Sequence, residues 1–279
     1  MSETSGAPAE PDARRIAFLG VGMMGEALLS GLVRDGRVLR FVVSDRDEER
    51  AAQIAEKYGA TAAPAAEAVA AADTVLLAVK PQSMAELLDE IGAHLRPGAL
   101  VVSIAAGITA AYLEQRLPEG TAVVRAMPNT PALVGEGITA VSAGTHASHG
   151  DVQQAQELMR TCGKVVAVPE SQLDAVTAVS GSGPAYVFYV VDAMVEAGVL
   201  LGLPRTTATE LAVQTMYGAA TMLAETQDHP VLLRERVSSP GGTTVAALRQ
   251  LDDHGVRAAF LTAMEAAARR SAELASGQL

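Results

Sequence analysis

From Arg15 the chain alternates short apolar runs with segments in helical spacing, and the alternation stops at Pro169. The run 15–19 ends on glycine, and helical spacing then continues through Val33 until Gly36. Phe41-Val42-Val43 predicts a second strand, 47–57 a helix, Thr61-Ala62 a short third strand and 64–72 an alanine-rich helix. A buried strand over 74–79 ends on Lys80-Pro81, and further strands are expected over 100–104 and 121–126. Strands at 138–142 and 165–168 flank a helix over 152–161. Such continuous Val/Leu/Ile runs are the mark of strands covered on both faces, as in a parallel sheet. After Pro169 no further strand is convincing. The spacing there predicts helices over 171–179, 183–201, 205–225, 229–236, 243–252 and 256–274.

The first run leads into Gly20-Val21-Gly22-Met23-Met24-Gly25. Strand, G-x-G-x-x-G, helix is the dinucleotide fingerprint in its proper setting: one glycine turns the chain, one admits the pyrophosphate, one packs helix on strand. The second strand delivers Ser44-Asp45-Arg46 about where the ribose-reading residue belongs. Asp45 suits a free 2′-hydroxyl, whereas Ser44 and Arg46 suit a 2′-phosphate, so this position leaves NAD and NADP both open. The expected fold class is therefore α/β: an N-terminal Rossmann-like domain over 15–169, followed by an all-helical domain over 170–279. A loose polar tail over 1–14, with no apolar run of the signal-peptide kind, precedes them.

Lys80, one of only three lysines, falls at the carboxyl end of a central strand, the edge where open parallel sheets bind ligands. Its structural alternative is a lysine reaching out to solvent. Ala105-Ala106-Gly107 ends the following strand with small residues that leave room for a flat ring. Farther on, Val237 to Thr244 reads V-S-S-P-G-G-T-T and opens a helix, offering hydroxyls and unpaired amides to a small anion. Ser180-Gly181-Ser182-Gly183-Pro184 opens another helix in the same manner. Ordinary capping explains either turn taken alone.

A net charge of −11 argues against nucleic acid as a partner. Cys162 is the single cysteine, which fits a reducing cytoplasm. The five histidines lie in polar loops or at a helix end, and no metal site is expected. The longest apolar stretch, 185–203, carries Asp192 and Glu196 and is broken by Gly198 and Gly202. It reads as a buried helix or a subunit interface and not as a membrane span.

Six motifs occur in order: Gly20 to Gly25; Ala78-Val79-Lys80-Pro81; Ser103 to Gly107; Arg125-Ala126-Met127-Pro128-Asn129-Thr130-Pro131; Asp174 to Thr177 with Ser180 to Tyr186; and Ser238 to Thr244. As an ordered set spanning nearly the whole chain, they resemble pyrroline-5-carboxylate reductase. The resemblance implies reduction of 1-pyrroline-5-carboxylate to L-proline, the last step of proline biosynthesis, with NADPH as hydride donor and NADH as the alternative. It also implies a helical dimerisation domain, a homodimer, and often a pentamer of such dimers. On this reading Gly20, Val21, Gly22, Met23, Met24 and Gly25 hold the pyrophosphate. Ser44, Asp45 and Arg46 take the adenosine ribose. Ala78, Val79, Lys80 and Pro81, with Ala105, Ala106 and Gly107, take the nicotinamide side, and Asn129 joins the cofactor contacts. Thr244 matches the threonine whose hydroxyl faces the substrate's ring nitrogen. Ser239, Gly242 and Thr243 match the carboxylate-binding loop, and Glu170 is carried over as a substrate contact. One departure stands out: many relatives have a cofactor-reaching asparagine where this chain has Pro64-Ala65-Ala66.

A cyclic imine is already electrophilic, so the absence of an evident His–Asp pair fits a site that mainly positions its reactants. Two other readings stay open at this level. One is an imine reductase or β-hydroxyacid dehydrogenase on the same plan, although such dehydrogenases use a lysine in the helical domain and none follows Lys164. The other is a catalytically silent NADPH sensor or scaffold.

Overall fold

The computed structural model describes residues 14–37 and 39–275; the expected tail over 1–14 lies almost wholly outside them. Eight strands form one sheet: β1 (Arg14–Leu19), β2 (Leu39–Ser44), β3 (Thr61–Ala62), β4 (Thr74–Leu77), β5 (Leu100–Ser103), β6 (Ala122–Met127), β7 (Gly137–Ala143) and β8 (Gly163–Ala167). Their order is β3-β2-β1-β4-β5-β6-β7-β8. The reversal between β1 and β4 is the switch point at which doubly wound sheets bind ligands. Neighbours are parallel except β6 and β7, which run antiparallel. Between those two lies only a turn over Thr130–Val134, too short for the helix that a parallel crossover requires.

Helices α1 (Met23–Arg34), α2 (Glu48–Tyr58), α3 (Ala65–Ala70), α4 (Met84–Ile91), α5 (Ala110–Glu114) and α6 (His149–Arg160) cover both faces of the sheet. Alternate strand residues divide between two cores. Ile16, Phe18, Leu76 and Val102 pack with Leu28 and Leu29 of α1 and Leu158 of α6. Ala17, Leu19, Val75 and Val101 pack with Val69 of α3, Leu88 of α4 and Leu113 of α5. The strand positions read as apolar throughout because both faces are covered.

The remaining helices are α7 (Leu173–Val176), α8 (Gly183–Leu200), α9 (Arg205–Thr226), α10 (Pro230–Arg236), α11 (Thr243–Asp253) and α12 (Val256–Ala275). The chain separates into two compact units, whose boundary differs from the 169/170 division read from the strand pattern. One unit extends to Gly181 and takes back the chain from Ala268; the other is Ser182–Ala267. The first reaches past Pro169 because Leu173 and Ala178 are buried, and because Ser271 on α12 donates to Asp174 at 2.6 Å.

In the second unit α8 is not the buried helix that its composition predicts. Val195 is its one buried residue, and with Ala208 and Ala212 it forms a three-residue core. Phe188, Tyr189, Leu200 and Leu201 stand exposed. By length and composition the run Glu170–Leu200 would suffice to cross a membrane, and 6% of its apolar window is buried. So large an apolar surface signals a covering partner.

Candidate active site

The turn after β1 is fixed from two sides. The Gly20 amide donates to the Ser44 carbonyl at 2.8 Å, and the Ala78 amide donates to Leu19 at 2.8 Å. Gly20 holds φ +95°, and a Cβ there would meet the Ala78 carbonyl oxygen at 2.7 Å, so a side chain is excluded twice over. A Cβ on Gly25 would overlap the Gly20 carbonyl oxygen, which explains the third glycine as a helix-to-strand contact. Gly22 is different: among the described residues nothing lies within 4 Å of its Cβ position. Packing gives no reason for glycine there, and approach of a ligand does. Gly22 caps α1 without a side-chain hydrogen bond, leaving the helix's first amides to an anion.

A cleft of about 880 Å³ runs along this edge of the sheet. Of the residues singled out from the sequence, Gly20, Gly22, Ser44, Asp45, Arg46, Ala78, Val79 and Lys80 line it. The others play different parts. Val21 is fully buried, and its amide donates to Asp45 Oδ2 at 2.8 Å. The second Asp45 oxygen accepts from the Asp47 amide at 3.1 Å. Asp45 thus ties the glycine turn to the end of β2, a role its position in the sequence did not disclose. Met23 is exposed and Met24 packs against the core. Pro81 opens a 3-10 turn ahead of α4. Gly107 has φ +75°, and a Cβ there would stand 3.1 Å from Cβ of Leu274. Its smallness is therefore used by the last turn of α12.

The lining also holds Pro64 and Ala65, from the stretch that departs from the relatives' asparagine, and four residues not singled out from the sequence: Glu48, Ser83, Glu86 and Glu90. Arg46 forms an ion pair with Glu86. Nothing in local periodicity joins residues 46 and 86. Only the β2/β4 neighbourhood of β1 does, and an acidic first turn on α4 was the available hint.

Within the second unit, the segment before α11 is a compact turn. The Gly242 amide donates to the Ser239 carbonyl at 2.9 Å, Gly241 has φ +70°, and Ser238 Oγ donates to Arg234 at 2.6 Å. Gly242 caps α11 without a side-chain hydrogen bond. Ser239 and Thr243 are exposed and Thr244 is half-buried, so this turn carries hydroxyls beside the first amides of a helix. Among the described residues no cluster of His, Cys, Asp and Glu suits a metal ion.

Residues 170–274 match the family description "Pyrroline-5-carboxylate reductase dimerisation", and residues 15–107 match "NADP oxidoreductase coenzyme F420-dependent". A pyrroline-5-carboxylate reductase of Corynebacterium melassecola is 47% identical over 264 residues, covering 93% of this chain and 98% of that protein. The chain belongs to the pyrroline-5-carboxylate reductase family. The solved pyrroline-5-carboxylate reductase of Coxiella burnetii superposes with a TM-score of 0.89 at 36% identity, covering 94% of this chain and 99% of that one. The Plasmodium falciparum pyrroline carboxylate reductase with NADP bound does so at 0.84 and 27% identity, covering 94% and 98%.

Two side chains that the reductase resemblance puts at the ligands also hold the backbone in this member of the family. Asn129 Oδ1 accepts from the Ile138 amide at 2.9 Å, while its Nδ2 donates to the Ser180 carbonyl at 3.1 Å. Glu170 Oε1 accepts from Arg125 Nη1 at 2.8 Å and from the Ala110 amide at 2.7 Å. Both brace loops at the end of the sheet.

Proposed function

We propose that the chain reduces 1-pyrroline-5-carboxylate to L-proline with hydride from NAD(P)H, and that NADPH is the working donor. The observation that carries the cofactor half is Gly22. Among the described residues it has no neighbour to demand glycine, and it opens a helix that has no side-chain cap. Gly20 and Gly25 would shape the pyrophosphate turn, Ser44 and Arg46 would take the 2′-phosphate, and Ala78 to Lys80 with Ala105 and Ala106 would line the nicotinamide side. Asp45, spent on two backbone amides, serves the turn first and the ribose second. A bound nicotinamide supplies the hydride.

For the substrate, the Thr243 amide and the Ser239 hydroxyl would pin the carboxylate, as expected of an uncapped helix start, while Gly242, its own amide turned to the Ser239 carbonyl, would leave room for the ligand. The Thr244 hydroxyl would hydrogen-bond the ring nitrogen. Such a bond strengthens as the imine becomes an amine, so it is worth more in the transition state than in the ground state. Hydride on carbon must be matched by one proton on nitrogen, which solvent supplies by protonating the imine; with that proton in place no acid–base pair of the protein is required, and its work is orientation. Glu170 and Asn129 are assigned here to positioning, not to ligand contact.

The exposed apolar faces of α8 and α9 fit a homodimer, in line with the dimerisation family matched over 170–274. We assign that surface to protein and not to lipid because Asp192 and Glu196 interrupt it, Glu196 being held by Arg205 at 2.8 Å. A pentamer of dimers and a cytoplasmic setting complete the reading. Following nicotinamide absorbance with and without 1-pyrroline-5-carboxylate tests it: consumption dependent on the imine supports the reductase, and binding without consumption marks a sensor. Light scattering at rising concentration checks the dimer.

A further inference from the structure

Six charged side chains line the cofactor cleft: two cations, Arg46 and Lys80, against the carboxylates Asp45, Glu48, Glu86 and Glu90. Asp45 is occupied by the Val21 and Asp47 amides. Arg46, at the end of β2, donates through Nη2 to Glu86 in the first turn of α4. Arg46 is also the cation at the position that distinguishes a 2′-phosphate from a 2′-hydroxyl. The guanidinium that NADPH needs is therefore engaged by a carboxylate of the cleft's opposite wall.

We propose that Glu86 is a cofactor-specificity residue, whose carboxylate competes with the 2′-phosphate of NADPH for Arg46 and so narrows the enzyme's preference for NADPH over NADH. This rests on the reading of the cleft as the NAD(P)H site. A 2′-phosphate carries between one and two negative charges near neutrality. Entering beside Glu86, it displaces that carboxylate or shares the guanidinium with it, and either costs affinity. NADH lacks the group and pays neither. Both side chains are well exposed, at 66% and 76%, so the pair is screened by water and opens readily. Glu86 therefore tunes the preference and does not abolish NADPH binding.

The test is fluorescence titration of the full-length protein with NADPH and with NADH, no imine present, alongside kcat/KM for each with 1-pyrroline-5-carboxylate. Glu86→Gln is expected to raise the NADPH-to-NADH affinity ratio about 2- to 5-fold, the span of an exposed charge pair. Glu86→Lys raises it further. In an Arg46→Ala background the Glu86→Gln effect vanishes. A ratio unchanged or lowered by Glu86→Gln overturns the proposal, as does an equal rise without Arg46, which would mean direct repulsion. If the wild-type protein binds both nucleotides but turns over no imine, the reductase reading fails, while the affinity ratios still decide the role of Glu86.

Discussion

The glycine turn after β1 and the glycine turn before α11 use the same materials, and the chain holds them in opposite ways. Around Gly20 the backbone is gripped by Ser44 and Ala78, and two of the three glycines are dictated by sterics inside the unit. Around Gly242 the turn closes mainly on itself, through Ser239, and a Cβ on Gly241 would meet nothing among the described residues. The first turn is a preformed cradle whose shape is settled before any ligand arrives. The second is a local loop whose glycines serve its own closure and whose exposed hydroxyls make chemical sense chiefly for what they would bind. A buried, over-determined turn is expected to tie binding to stability, whereas an exposed one is expected to separate them.

Substitutions can break that contrast. The largest effect is expected at Gly25→Ala, where the new methyl meets the Gly20 carbonyl. NADPH affinity should fall more than 100-fold and stability by about 1–3 kcal/mol, the range for overpacking; titration and thermal unfolding together read both. Thr244→Ala comes next: kcat should drop roughly 10- to 100-fold, equivalent to about 1.4–2.7 kcal/mol, with NADPH binding kept. Wild-type turnover in that variant removes Thr244 from the mechanism. Gly242→Ala would put a Cβ 2.5 Å from Ser239 Oγ, which can rotate away, and 3.0 Å from the Ser239 carbonyl oxygen, which must give by a few tenths of an ångström. KM for the imine should rise about 3- to 10-fold as one carboxylate donor is displaced, with melting temperature little changed. A melting loss equal to that of Gly25→Ala would erase the distinction between the turns.

The smallest effect concerns Glu26 on α1. Burial pushes its carboxyl up, but hydrogen bonds from Lys57, Tyr58 and Arg50 outweigh it and leave the group below its ordinary value. A carboxyl lowered on folding contributes stability at neutral pH and loses it as pH falls through the folded value. Glu26→Gln should therefore cost a few tenths to about 1 kcal/mol at pH 7, and the difference should shrink below about pH 4. A denaturant series at the two pH values measures it.

Local pattern carried the strands, the glycine fingerprint and the helical second half, because burial on both faces and helix periodicity are written within a few neighbouring residues. What escaped it was long-range. Asp45 reads only as a ribose-end residue, and its second task, accepting from the Val21 amide, shows only in the fold. Gly107 reads only as room for a ring, and its packing against Leu274, far along the chain, shows only in the fold. Glu86 belongs to a helix that the strand pattern passed over, and its partner lies 40 residues earlier. The β6/β7 reversal follows from the length of one loop, which composition does not announce.

The return of α12 to the first unit sets a schedule for synthesis. Ser271 closes on Asp174 and Leu274 on Gly107, so the nucleotide-binding half acquires these contacts only after the whole of Ser182–Ala267 has been made. A nascent chain stopped at Gly181 would carry every strand yet leave Asp174 and Gly107 waiting for a helix still to be made.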